Sequence, residues 1–160
     1  MVTIRIILLS IIACFVTTSV QAQHSNKQVR KGNKLYKEGK YQEATKEYQE
    51  AITVFPNNKI GWFNYGNSLY KEKKFEETRK VMEGFAKTTK DTNDYADAAY
   101  NIGNTYMEEK KWAEAAKFYK ESLRKNPQDA DAKYNLSYAL EMLKKQNGGG
   151  GGKDKNKDKK

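Results

Sequence analysis

KGNKLYKEGKYQEA (Lys31–Ala44), YGNSLYKEKKFEET (Tyr65–Thr78) and IGNTYMEEKKWAEA (Ile102–Ala115) are three versions of one string. Gly32 and Gly66 stand 34 residues apart, and Gly66 and Gly103 stand 37 apart. A period of this size marks a structural repeat, in which each unit buries its apolar face only by stacking on the next. A further step of 34 lands on Ser137, in LSYALEML, which matches only the first half of the unit. The chain is therefore predicted to hold three two-helix repeats followed by one extra helix.

The columns have a physical reading. Gly32, Gly66 and Gly103 allow the two helices of a pair to approach closely, with the small residues Ala44, Thr78 and Ala115 expected to face them. Tyr41, Phe75 and Trp112 are predicted to open the second helices and to staple them to the first. Pro56 and Pro127 follow the first and third second-helices, where the chain must stop and turn. Repeat two departs from the pattern: Thr78, Met82 and Phe85 replace Ala44, Tyr48 and Ala51, and no proline follows. Three extra residues fall within Lys87–Asp94, and Phe85 in a small-residue column is expected to need the room they provide.

These columns resemble the tetratricopeptide repeat (TPR) family. Trp62, Gly66 and Leu69 fall on its first-helix signature, and Ala44, Tyr48, Ala51 and Pro56 on its second. Ala115, Tyr119 and Pro127 repeat most of the latter, with Ser122 where Ala51 stood. The resemblance implies an all-α, right-handed solenoid over residues 25–147. Its repeats would cover about 25–58, 59–95 and 96–129, and a capping helix 130–145. In that cap Tyr134, Leu136, Ala139, Leu140 and Leu143 would cover the last apolar face, with Asp131, Lys133, Glu141 and Lys144 wet. Gly148–Gly152 then reads as a spacer and Lys153–Lys160 as a charged, disordered tail, so that 148–160 stands outside the domain.

Residues 1–22 read as a signal peptide: Arg5 is the positive start, Ile6–Val16 the apolar run and Val20-Gln21-Ala22 the exit site. Cleavage is expected after Ala22, leaving Gln23 first and the protein in the periplasm. A second reading takes Ile11-Ile12-Ala13-Cys14 as a lipobox, with the chain anchored through an acylated Cys14. That reading makes it an outer-membrane assembly factor.

The rest of the composition excludes most chemistry. One Cys and one His cannot build a zinc site, a disulfide or a Cys–His pair. There is no phosphate-binding loop, and no carboxylate stands isolated in an apolar run. No catalytic residue, metal, cofactor or small-molecule substrate is expected. His24 is expected to be exposed near a frayed terminus. The 30 basic against 20 acidic residues leave +10, but they alternate in sign, as in Glu72, Lys73, Lys74, Glu76 and Glu77. Such faces are solvated rather than aimed at nucleic acid.

In the family the first helices line a concave surface that binds peptides or partner proteins. Read in register, they carry two asparagine columns, Asn33, Asn67, Asn104 and Asn64, Asn101, Asn135. Beside them stand Tyr36, Phe63, Tyr70, Tyr100 and Tyr134. A primary amide both donates and accepts, which suits the backbone of an extended segment. The amides could equally bond between neighbouring helices, and the aromatics could be packing. Some relatives grip C-terminal carboxylates with two asparagines and three cations. Asn33 and Asn64 match the asparagines, but Val29, Asp97 and Asn101 stand where cations are required. The whole chain, with Tyr134–Leu140 reading YNLSYAL, also resembles the small exported TPR proteins of bacterial aerotolerance (Bat) operons. That resemblance implies membrane proteins with von Willebrand A domains as partners.

Overall fold

The computed structural model describes residues 2–148, with side chains for Ile7 and for residues 20–148. The spacer and tail from residue 149 onward lie outside the described residues. Every element among them is helical: α1 Val2–Lys37, α2 Tyr41–Val54, α3 Lys59–Lys71, α4 Phe75–Thr88, α5 Thr92–Glu108, α6 Trp112–Lys125 and α7 Ala130–Gly148. The second helices begin on Tyr41, Phe75 and Trp112, as the repeat predicts. Among the described residues no helix is long and apolar enough to cross a membrane. The chain divides after Thr89 into two compact units, α1–α4 and α5–α7.

The two kinds of helix start differently. The first helices α3, α5 and α7 carry side-chain caps. Gly61 N–H donates to Asn58 Oδ1, Asn93 N–H to Asp91 Oδ1 and Ala132 N–H to Asp129 Oδ1, each at 2.9 Å. Each bond satisfies a backbone donor that the first turn of a helix leaves unpaired. Second helices have Lys40, Lys74 and Lys111 at the N-cap position, without a side-chain cap. Their position is set by the preceding turn. Gly39, Lys73 and Lys110 all adopt positive φ (75°, 60° and 56°). Gly39 N–H bonds Tyr36 O at 3.0 Å and Lys40 N–H bonds Leu35 O at 2.9 Å. The same pair of bonds recurs at Lys73/Lys74 and Lys110/Lys111. This is the Schellman closure of a helix end, which favours glycine at the left-handed residue. A lysine there carries a Cβ penalty, so Lys110→Gly should raise stability by up to about 1 kcal/mol. Thermal melting of the variant checks this; an unchanged or lowered midpoint would contradict it.

Three boundaries differ from expectation. α1 is continuous from Val2, so His24 is helical rather than frayed, and its Nε2 lies 3.1 Å from Glu50 Oε1. α5 starts at Thr92 rather than near 96, because the inserted residues lengthen the helix N-terminally behind the Asp91 cap. α7 runs to Gly148 rather than 145. It also covers less than a cap should. Ala132 and Ala139 are buried, but Tyr134 stays 72% exposed and Leu140 41%.

The glycine column is a close contact, with a different partner from the one expected. A Cβ at Gly32 would lie 2.6 Å from the Tyr48 ring, and one at Gly103 2.7 Å from the Tyr119 ring. At Gly66 it would lie 1.9 Å from Met82 Cε. The facing group is thus the long side chain one helical turn beyond Ala44, Thr78 and Ala115. Those three are buried in the core, where small size lets the ring or thioether lie flat. Tyr48 packs with Val29, Ala44 and Ala51; Tyr119 packs with Ala115, Ala116 and Ala139. The staples form at Tyr36–Tyr41 (5.0 Å between rings) and Tyr70–Phe75 (5.5 Å). Trp112 meets Tyr138 of α7 at 6.2 Å. Phe85 finds its room inside its own pair, 5.9 Å from Trp62 and 5.0 Å from Phe63.

Candidate functional site

Glycine, asparagine and tyrosine act together as one device, present once in each unit. In the first, the Tyr48 hydroxyl donates to Asn33 Oδ1 at 2.8 Å, and Asn64 Nδ2 donates to the same oxygen at 2.8 Å. In the second, the Tyr119 hydroxyl donates to Asn104 Oδ1 at 2.8 Å. Asn135 Nδ2 reaches that oxygen at 3.3 Å and the Tyr100 hydroxyl at 3.2 Å. The glycine lets the ring enter between the helices, and the next residue, asparagine, receives its hydroxyl. Burial, and then Tyr36, pushes the Tyr48 hydroxyl up to about 12, so it stays a donor.

Four of the six predicted amides therefore bond between neighbouring helices: Asn33, Asn64, Asn104 and Asn135. Asn101 Nδ2 donates to the backbone oxygen of Asp97 at 3.0 Å. Asn67 is different. Its repeat has Met82 in place of the tyrosine, and its amide is exposed and takes no part in either relay. Like Tyr36, three of the predicted aromatics rest against a second-helix ring, whereas Tyr134 stands 72% exposed. Phe63 lies against Phe85, Tyr70 against Phe75 and Tyr100 against Tyr119 at 5.8 Å, all half-buried.

In the first unit, Asn33, Tyr36, Asn64 and Asn67 come together around a cavity of about 180 Å³, with Tyr48 as a wall. Lys37 completes it, a residue the sequence reading did not nominate. The available signal was its spacing: Lys37 lies four residues beyond Asn33, on the same helix face. Phe63 and Tyr70 do not line this cavity, and Tyr100, Asn101, Asn104, Tyr134 and Asn135 belong to the other unit.

Asp97 contrasts with its counterpart. Asn26 and Asn58 of the first unit sit in hydrogen-bond range at 3.4 Å. The corresponding pair in the second is Asp97 and Asp129. Burial first, then the carboxylates of Asp129, Asp94 and Asp91, raise the Asp97 carboxyl above its ordinary range. A raised carboxylate makes the folded state prefer the proton, so stability falls as pH rises through that range. Asp97→Asn should therefore stabilise the fold at neutral pH but not in acid, about pH 3, where the native carboxyl is already neutral. Melting curves at the two pH values test the difference.

A family model described as TPR repeat matches residues 32–73, and one described as tetratricopeptide repeat matches residues 96–129. No curated protein matches the chain. Among solved structures, the first TPR domain of human RPAP3 is similar at 24% identity and TM-score 0.70, covering 79% of this chain and 98% of its own. The first TPR of Spaghetti (RPAP3), bound to the HSP90 peptide SRMEEVD, is similar at 25% identity and TM-score 0.67, over 76% and 94%. The Sgt2 TPR domain from Aspergillus fumigatus is similar at 18% identity and TM-score 0.71, over 84% and 88%. Among the described residues, no group of three or more His, Cys, Asp or Glu side chains is placed to hold a metal ion. The two tetratricopeptide-repeat models thus match one stretch in each unit, residues 32–73 in the first and 96–129 in the second, and the fold is the one these solved TPR domains share.

Proposed function

We infer that the protein is a non-enzymatic adaptor that binds an extended segment of a partner protein along its first helices. The observation that carries this is the cavity at Asn33, Tyr36, Lys37, Asn64 and Asn67. It offers an unbonded amide, a half-exposed aromatic face and a cation within one small concavity, the mixture that fixes a peptide's backbone and one side chain. Spaghetti, similar in fold, is bound to an HSP90 peptide. This chain is not read as taking an acidic C-terminus, because the positions that a carboxylate clamp fills with cations hold an apolar residue, Val29, an acid, Asp97, and a neutral amide, Asn101.

The setting we propose is the bacterial periplasm, in a complex of the Bat aerotolerance type whose membrane partners carry von Willebrand A domains. Support for export comes from the contacts that lie just beyond the expected cleavage point. Ser25 is fully buried, donates to Ala51 O at 2.9 Å and receives Asn58 Nδ2 at 2.7 Å. Cleavage after Ala22 leaves these contacts intact, and it removes a segment whose Val20 is 59% exposed. Mass spectrometry of the mature N-terminus should find Gln23; an acylated Cys14 would instead favour a lipid-anchored outer-membrane assembly factor.

Asn67→Ala is the clean test of the groove. Alanine is the better helix former by up to about 0.7 kcal/mol, so the variant should melt no earlier than wild type. Recovery of crosslinked partners from native membranes should fall, by about 0.5–1.5 kcal/mol of binding per neutral hydrogen bond lost. Unchanged recovery would sink the groove assignment.

A further inference from the structure

Among the described residues α7 is a first helix with no second helix packed on it, and the repeat register shows which face is left open. Leu69 of α3, at the position of Leu140, is 2% exposed, whereas Leu140 is 41% exposed. Phe63 and Tyr100 lie against Phe85 and Tyr119 of their second helices. Tyr134, at the same position in α7, is 72% exposed. Gly66 and Gly103 face Met82 and Tyr119, while Ser137, next in that column, faces solvent. Tyr134, Ser137 and Leu140 fall on one side of the helix. Elsewhere in the chain that side is covered by an α-helix, and among the described residues nothing covers it here.

The stripe borders a cleft of about 450 Å³ between α6 and α7. Ala113, Ala116, Leu140 and Leu143 form its apolar part, and Lys117, Lys120 and Arg124 ring it with Glu121. Lys133 and Lys144 stand exposed on α7. The acids nearby are already engaged: Glu141 Oε1 pairs with Lys145 at 2.6 Å, and Glu121 receives the Tyr95 hydroxyl at 3.4 Å. Residues 149–160 contain only Gly, Lys, Asp and Asn, so they offer no apolar side chain to lay on the stripe.

We propose that the Tyr134–Ser137–Leu140 stripe and the α6–α7 cleft receive an amphipathic α-helix with acidic flanks from a partner protein, seated where a second helix would stand. The register requires a helix, since helices fill this position in every complete pair. The cationic rim selects acids, because a basic helix would meet Lys117, Lys120 and Arg124 at close range. This surface is separate from the cavity at Asn67, so it stands or falls independently of the groove.

The chain itself supplies matched probes. A labelled peptide with the sequence of α2, Tyr41–Val54, is a second helix with three glutamates against one lysine. One with the sequence of α6, Trp112–Lys125, has the same length and an excess of bases. In fluorescence anisotropy with the full chain, the α2 peptide should bind and the α6 peptide should bind at least about tenfold more weakly. Leu140→Ser should weaken the α2 peptide about tenfold or more. Lys117→Glu/Arg124→Glu should weaken it similarly and strengthen the α6 peptide. Both changes are on exposed side chains, and circular dichroism should report an intact fold. Asn67→Ala should leave peptide binding unchanged. No binding of the α2 peptide, equal binding of both peptides, or indifference to Leu140→Ser overturns the proposal. Binding of phosphatidylglycerol vesicles in place of the peptide would reassign the face to a membrane. A dimer in sedimentation that Leu140→Ser dissolves would reassign it to a second copy.

Discussion

Gly103→Leu should destabilise the α5–α6 pair by about 3 kcal/mol or more, at or above the upper end of the usual cost of overpacking. Even a Cβ there would lie 2.7–3.1 Å from three atoms of the Tyr119 ring. The ring cannot retreat, because it is flat, fully buried and held by its hydroxyl to Asn104. Gly66→Leu should cost less, about 1–3 kcal/mol, although its nearest contact is shorter. That contact is Met82 Cε, the end of a flexible thioether that can swing away, and the next atoms lie at 3.4 Å and 3.5 Å. Paired thermal melts check the order. If Gly66→Leu proved the more damaging, the ring-in-glycine device would not be what holds each helix pair together.

Tyr48→Ala should cost about 3–5 kcal/mol, since it empties the largest buried side chain of the first unit and leaves a void that its alanine neighbours cannot fill. Tyr48→Phe separates the hydroxyl from the ring. It keeps the packing, removes one hydrogen bond to Asn33 and should cost about 1 kcal/mol. It should also change the alkaline behaviour. Folded Tyr48 keeps its proton to about 12, against an ordinary value of 10.0. Between those values the unfolded chain binds fewer protons than the folded one, so stability falls as pH rises through the window. The phenylalanine variant should lose that part of the slope. Melting midpoints across pH 10 to 12 measure it directly, and identical slopes for the two proteins would mean that the hydroxyl titrates as freely folded as unfolded.

The amino-acid sequence by itself determined the repeat, the kind of unit and the residues on which each second helix begins. Those properties are local. Spacing of 34 and 37 residues, glycine at a fixed column and an aromatic after the break can be read along the chain without knowing what touches what. The close approach at Gly32, Gly66 and Gly103 was legible for the same reason. The identity of the group that fills it was not, because that depends on how far one helix slides along the other. Tertiary packing put Tyr48 and Tyr119, not Ala44 and Ala115, against the missing Cβ atoms.

The same packing divided the asparagines. As a column they look alike, and each is an amide on a first helix. Whether one is bonded depends on whether a tyrosine stands opposite, so Asn33 and Asn104 receive a buried hydroxyl while Asn67, opposite Met82, remains exposed. The left-handed turn before each second helix was also hidden, since only Gly39 of its three residues is a glycine. At Lys73 and Lys110 the paired backbone bonds of the turn hold a conformation that lysine does not favour. On α7 the pattern of apolar residues suggested a finished cap. Burial depends on a neighbour being present as well as on the residue being apolar, and only the folded structure shows that Tyr134 and Leu140 stay exposed.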